Sequence, residues 1–190
     1  MKSMLLAACA AFALAACGRS AETPAPAEEA APAPVDTAIQ VAMQRATAEG
    51  VGESIGSVTV RESPAGAVFS LSLTGLPAGQ HGFHVHEHGS CAPHAGEGGA
   101  MEPAGAAGAH WDPQSTGRHL GPEGAGHLGD LPLIEVGADG AASASVTAPR
   151  IQSIADLRGR ALMIHAGGDN YTDTPANGGG GARLACGVIS

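Results

Sequence analysis

Gly82-Phe83-His84-Val85-His86-Glu87 sets two histidines either side of one apolar residue. In an extended strand, side chains two residues apart share a face. His84 and His86 are therefore expected to project together, with Phe83 and Val85 turned the other way into a core. Two imidazoles side by side on a rigid face make half of a copper or zinc site. The pair alone selects no metal, because zinc, copper, nickel and iron all accept imidazole. Its weight comes from His110, His119, His127, Asp130 and His165, which follow in segments marked by Gly or Pro.

His110, His119 and His127 share one loop with Asp130, at spacings of 9, 8 and 3. Three imidazoles and one carboxylate form a closed tetrahedral zinc set, and a set without an open position is structural. His84 and His86, joined by His165 from a late strand, form a nitrogen-rich set suited to copper. A lone histidine is more often an ordinary surface or core residue; six in this arrangement argue for ligation. His81, His88 and His94 are surplus. His81 reads as structural. His88 and His94 read as solvated loop residues, with help in capturing copper as the alternative.

The elements that must position these residues are short strands. Ile39 to Met43, Ser57 to Glu62 and Val68 to Leu73 alternate apolar with polar or small residues. Gly75-Leu76-Pro77-Ala78-Gly79 is a turn before the His84 strand. Ala144 to Ala148, Ala161 to His165 and Cys186 to Ile189 are further strands, and Ile151, Ile154 and Leu157 are spaced for one short helix. Strands at this spacing predict an antiparallel sandwich or barrel. Residues 89–131 and 167–181 are rich in Gly and not strand-like. Loops this long are uncommon in a compact domain unless they are functional or held by something, and a metal and a disulfide would hold them.

The N-terminal stretch reads as an address. Met1-Lys2 precedes an apolar run of 13 residues, Met4 to Ala16, too short to span a bilayer. The run ends in Leu14-Ala15-Ala16-Cys17, which looks like a bacterial lipoprotein signal (residues 1–16) with lipid added at Cys17; an ordinary signal with a chance cysteine is the alternative. Residues 17–36 are then the lipidated cysteine and a disordered Ala/Pro/Glu tether. Residues 37–190 suit one domain. Export to the periplasm and attachment to a membrane follow, with the outer membrane as the default because Gly18 supplies no inner-membrane retention signal.

Removing residues 1–16 takes away one positive charge and no negative one, so the net charge goes from −9 to −10. No basic patch for nucleic acid exists. Of the four cysteines, Cys9 leaves with the signal and Cys17 takes the lipid, so Cys91 and Cys186 remain as one pair. In an exported protein that pair is most simply a disulfide; a catalytic or metal-binding cysteine is the competing reading.

Taken with His81-Gly82-Phe83-His84-Val85-His86-Glu87, three segments carry a resemblance: Gly108-Ala109-His110-Trp111-Asp112-Pro113, Gly126-His127-Leu128-Gly129-Asp130-Leu131-Pro132, and Met163-Ile164-His165-Ala166-Gly167-Gly168-Asp169-Asn170. Thr116-Gly117-Arg118-His119 and Gly178 through Gly187 extend it. Over roughly residues 37–190 the chain resembles the bacterial copper/zinc superoxide dismutases. The resemblance implies an all-β fold, a Greek-key β-sandwich or barrel of immunoglobulin-like architecture. It implies copper on His84, His86, His110 and His165, and zinc on His110, His119, His127 and Asp130, one of each per subunit, with His110 bridging them. It implies that Asp169 links a copper ligand to a zinc ligand, that Arg183 docks superoxide at the mouth of the copper channel, and that Cys91 is bridged to Cys186. The activity implied is dismutation of superoxide to O2 and H2O2 by alternate reduction and oxidation of copper. The assembly, homodimer or monomer, is open.

A non-catalytic metal carrier and a structural envelope lipoprotein are the competing functions. A carrier is expected to lose a ligand or the channel arginine, and here all are present. Trp111 departs from the smaller residue common after the bridging histidine, and a packing role is expected for it. With no Lys in the mature chain, a field attracting an anion must come from Arg118, Arg183 and the metals.

Overall fold

The structure, a computed structural model, describes residues 37–96 and 98–190. The expected signal segment, Cys17 and the tether lie outside the described residues. The strands are β1 (Ile39–Thr47), β2 (Gly50–Ser63), β3 (Gly66–Leu73), β4 (Gly79–His81), β5 (Phe83–His86), β6 (His94–Ala95), β7 (Met101–Glu102), β8 (Ile134–Val136), β9 (Ser145–Ala148), β10 (Arg160–His165) and β11 (Arg183–Ile189). Seven form one antiparallel sheet in the order β5-β10-β11-β1-β2-β3-β9, while β4 pairs with β8 and β6 with β7. β3 and β5 lie near opposite ends of that order, yet Phe69 and Phe83 meet edge to face with ring centroids 5.8 Å apart. The sheet therefore curls round on itself, and its concave side is the core.

The predicted alternation is what fills that core. Ile39, Val41 and Met43 of β1, Val58 and Val60 of β2, and Phe69, Leu71 and Leu73 of β3 are all buried. The seven strands read from the sequence all form, with β2 running longer and back to Gly50. The expected short helix is a single 3-10 turn, Ile154–Leu157, and Ile151, Ile154 and Leu157 all enter the core. The two-residue strands β6 and β7 fall inside the segment expected to be irregular; pieces that short carry no period for a pattern to show.

On β5 and β10 the period of two separates two environments. Phe83, Val85, Leu162 and Ile164 face the main core. His84 is paired with Met163 and His86 with Ala161, and Met163 and Ala161 join Cys91, Ala104, Ala107 and Cys186 in a second, smaller cluster. The outer face of β5, β10 and β11 is thus covered by the long loop 87–131, which explains why all four residues of β5 are buried. The Cys91–Cys186 disulfide, closing 95 residues with 5.7 Å between Cα atoms, joins that loop to β11. A loop of this length is worth about 3–5 kcal/mol in the chain-entropy model.

Candidate metal centre

β5 is an edge strand, and its free edge is taken up by two pieces of the same loop. The main chains of residues 109–111 and 129–131 lie along it: Trp111 N–H donates to Val85 O at 2.8 Å, Val85 N–H to Gly129 O at 2.9 Å, and Glu87 N–H to Ala109 O at 3.0 Å. Isolated bridges set His86 opposite His110 and His84 opposite Asp130. Capping an exposed edge is a general need of sheets; here it delivers two ligands from the loop to the two histidines of the strand. Gly129 is required at this crossing, since a Cβ there would run into Val85 O and the Trp111 main chain. Trp111 has the packing role expected: it is buried, and the Arg160 guanidinium lies 4.1 Å above its ring.

The residues singled out in the sequence are brought together in the structure. His84, His86, His110 and His165 form one group whose potential ligand atoms all lie within 4.8 Å of one another, and His110, His119, His127 and Asp130 form a second, with His110 in both. In the second group the Nδ1 atoms of His110, His119 and His127 lie 2.9, 3.0 and 3.3 Å from Asp130 Oδ1. Ligands bound to one tetrahedral zinc at 2.0–2.1 Å lie about 3.3 Å apart. The set is therefore close to the spacing zinc needs.

Three rings of the first group have one nitrogen held from behind, while the fourth, His110, turns its Nδ1 toward Asp130 of the second group. His84 Nε2 lies 2.8 Å from Asp169 Oδ2, His86 Nδ1 donates to Gly108 O at 2.9 Å, and His165 Nδ1 faces Gly181 O at 3.1 Å. The other nitrogens point inward, with His86 Nε2 and His165 Nε2 3.3 Å apart. Among the described residues, the buried side-chain polar atoms without a hydrogen-bond partner are His84 Nδ1, His110 Nε2 and His119 Nδ1. His119 Nδ1 is near Asp130 but not aligned for a hydrogen bond with it. An unmet buried polar atom costs about 1–3 kcal/mol, and all three here belong to the two groups. Soft-to-borderline nitrogen donors with unused lone pairs fit copper and zinc.

Asp169 spans the two groups: Oδ2 takes His84 Nε2 and Oδ1 takes His119 Nε2 at 2.7 Å. Its side chain is fully buried. Tyr171 N–H also donates to Oδ1, at 2.7 Å. Gly178 makes the room, because a Cβ there would strike Asp169 Oδ1 and His119 Nε2, and its φ of +68° suits glycine.

The ionisation of the site follows from burial and from these carboxylates. Burial, followed by the neighbouring His84, pushes His110 down to about 4 and His165 to about 3. Burial lowers His84 against the pull of Asp169, and lowers His86 well below the ordinary value, with His110 and Arg183 adding to it. These rings stay neutral, the form that binds a metal. Burial also opposes the charged form of His119, but Asp130 and Asp169 on either side outweigh it and raise it to about 9. Asp130 and Asp169 are buried, which by itself raises a carboxyl, yet their histidine partners hold both well below the usual range.

A cavity of about 410 Å³ opens onto the first group and is lined by His86, His110, His165, Arg183, Glu102 and Asn177 among others. Arg183 is fixed there by two bonds, Nη1 to Ala104 O at 2.6 Å and Nη2 to Gly108 O at 2.7 Å. Burial lowers Arg183 while Glu102 opposes the shift, and a guanidinium remains charged throughout. Arg118 is exposed and lies 3.4 Å from Asp173, away from the residues that line the cavity. His88, in the loop, and His94, in the two-residue strand β6, are exposed and outside both groups, and His81 is buried with its ring nitrogens 2.7 Å from His165 O and 2.8 Å from Pro77 O.

The comparisons with known proteins agree with this geometry. The model of the family "Copper/zinc superoxide dismutase" matches residues 54–189. The chain belongs to the copper/zinc superoxide dismutase family. "Superoxide dismutase [Cu-Zn] 2" of Salmonella typhimurium is 55% identical over 151 residues, covering 79% of this chain and 87% of the relative. The structure of Cu/Zn superoxide dismutase from Brucella abortus superposes with a TM-score of 0.79 at 49% identity, over 80% of this chain and 99% of that one. A solution structure of the monomeric enzyme from Salmonella enterica gives 0.73 at 52% identity, over 81% and 100%. The Greek-key β-barrel of this family is the curled sheet seen here.

Sequence reasoning passed over Glu102, Arg150 and the carbonyls of Gly108 and Gly181. The carbonyls have no side-chain signal at all, and the two charged residues become informative only once the fold brings them to the site. Asp169, by contrast, was named through the resemblance, and its bond from Tyr171 N–H two residues on is a common Asx arrangement.

Proposed function

We propose that this chain is an exported, lipid-anchored enzyme of the bacterial cell envelope that converts superoxide to O2 and H2O2, using copper and zinc. Copper is assigned to His84, His86, His110 and His165, and zinc to His110, His119, His127 and Asp130. The observation that carries this is the sharing of His110 between two groups whose unpartnered nitrogens converge beside an arginine-lined cavity. When bound, copper supplies one-electron exchange by moving between Cu(II) and Cu(I), while zinc, being d¹⁰, supplies charge and rigidity only.

The remaining work falls to side chains. Arg183, held by two carbonyls, presents a fixed positive charge at the cavity and orients a small anion toward His86, His110 and His165. His110 Nε2 is placed to hold a proton in one half-cycle and give it up in the other. Asp169 keeps His84 and His119 oriented from outside both groups. Two superoxide anions and two protons give one O2 and one H2O2, so the site needs one anion position and one proton-carrying group, and both are on the cavity wall.

Export and anchoring at Cys17 rest on the N-terminal signal pattern, and the Cys91–Cys186 disulfide suits an oxidising compartment. The full chain reconstituted with copper and zinc is expected to dismutate superoxide, and His86→Ala is expected to abolish it. A copper-loaded protein without dismutation refutes the enzymatic assignment, and an active His86→Ala refutes the ligand set. Labelled palmitate entering the parent but not Cys17→Ser tests the anchor.

A further inference from the structure

Three of the four residues assigned to zinc are tied to the fold by contacts already described. His110 and Asp130 are laid against β5 by main-chain bonds on both sides. His119 is held twice, its ring by Asp169 and its main-chain N–H by Asp173 Oδ1 at 2.6 Å. His127 differs. Its ring is the most exposed of the four, at 14%, and its own N–H bonds only within the loop, to Arg118 O at 2.8 Å.

The tie for His127 comes from across the molecule. Arg150, in the turn after the edge strand β9, donates Nη1 to His127 O at 3.0 Å and Nη2 to Gly126 O at 2.9 Å. Its neighbour Ile151 accepts the Ala67 N–H of β3 at 2.8 Å, so the guanidinium is mounted on the sheet. The loop is tightly folded on itself at Gly126, where a Cβ would meet Arg118 O and Leu120 N. A two-pronged fork on consecutive carbonyls fixes both the position and the rotation of the peptide that carries the ring.

We propose that Arg150 is the positioning residue for the His127 corner of the zinc set, and that it pre-orders the loop 118–127 for zinc without touching the metal. It belongs to no part of the copper group, so its removal affects zinc selectively. This rests on the zinc assignment proposed above. Outer contacts that orient ligands are typically worth 10–100-fold in metal affinity, and that is the range expected here.

The test uses the purified full chain, stripped of metal, with zinc and copper affinities measured by chelator competition for the parent, Arg150→Met, Arg150→Gln and Arg150→Lys. Arg150→Met and Arg150→Gln are expected to bind zinc 10–100-fold more weakly than the parent, with copper affinity within about threefold. Arg150→Lys, which keeps the charge but loses the fork, is expected between them. Cobalt(II) in the zinc site should show altered visible bands in the methionine and glutamine variants. The glutamine variant decides if the methionine variant does not fold. Zinc affinity within twofold of the parent overturns the proposal, and so does a parallel fall in copper affinity. If the parent itself takes up no zinc, the zinc assignment fails rather than the role of Arg150.

Discussion

Arg183 and His86 share one acceptor: Nη2 of the arginine and Nδ1 of the histidine both donate to the Gly108 carbonyl, at 2.7 and 2.9 Å. The arginine proposed to dock the anion and a ring assigned to copper are therefore registered against the same peptide. Moving either one disturbs the other. Arg183→Ala removes the local positive charge from a chain of net charge −9 and frees the carbonyl. Losing charge-assisted hydrogen bonds of about 1.5–3 kcal/mol each is expected to lower the dismutation rate at least tenfold. It should also change the Cu(II) electron paramagnetic resonance spectrum through His86. Arg183→Lys should recover part of the rate but not the parent spectrum, because an ammonium cannot serve both carbonyls. An unchanged spectrum in both variants would show that the shared carbonyl does not couple them.

Glu102 lines the same cavity as Arg183 with the opposite charge. It works against the attraction of an anion, so Glu102→Gln is expected to raise the rate at low ionic strength. The gain should fade above about 0.15 M salt, where charges more than about 8 Å apart are screened. Stopped-flow rates across a salt series check this, and a rate that is equal or lower at low salt contradicts it.

Much of this was legible in the sequence, for identifiable reasons. The period of two in β1, β3 and β5 states which side chains share a face, so the split of Phe83 and Val85 from His84 and His86 could be read directly. The ligand types and their order gave the second group and three members of the first; that His110 belongs to both was implied by the family resemblance. What could not be read was how loop residues 109–111 and 129–131 reach the strand, because they do so through main-chain bonds along the β5 edge, which any residue type can make. The pairing of Arg118 with Asp173 was hidden for a similar reason, since the two lie 55 residues apart. Arg150 carried no local pattern, since its carbonyl partners lie 23 and 24 residues away.

Asp169 can accept from His84 and His119 at once only because both of its oxygens are acceptors. Asp169→Asn turns one of them into a donor facing a ring N–H. Zinc and copper affinities are both expected to fall, by about 10–100-fold. Gly178→Ala should produce a similar loss by another route, since the new methyl would occupy the space of the Asp169 carboxylate and the His119 ring. Chelator competition on both variants checks this, and parent-like affinities in Asp169→Asn would reduce the carboxylate to a loop cap.

The disulfide closes 95 residues and lies in the small apolar cluster beneath the loop that carries Gly108 and His110. Cys91→Ser with Cys186→Ser is expected to cost about 2–5 kcal/mol of stability. Because Arg183 is fixed by Ala104 and Gly108 of that loop, the rate should fall further than metal content does. Thermal melts, metal analysis and rates on the same samples separate these effects. A rate loss that only tracks lost copper would mean that the bridge acts on stability alone.

The metal-stripped protein should be most stable near pH 6.5 and weaken on both sides. Folded His110 and His165 bind a proton only near pH 4 and 3, and His84 and His86 are lowered too. Below about 6.5 the unfolded chain therefore holds protons that the folded chain lacks, and stability falls as pH falls, by up to about 1.4 kcal/mol per pH unit for each such ring. His119 acts in the opposite sense. Raised to about 9, it contributes its full stabilisation below 6.5 and loses it as pH rises to 9. The depressed Asp130 and Asp169 contribute above their unfolded value of about 3.9 and fail only in stronger acid. Once copper and zinc occupy the ring nitrogens, protons must displace a metal first. The loaded protein should then hold its melting temperature well below pH 6.5. Melting curves of stripped and loaded protein from pH 4 to 9 test this. A stripped protein whose melting temperature climbs steadily across that range would show that His119 is not held charged between the two carboxylates.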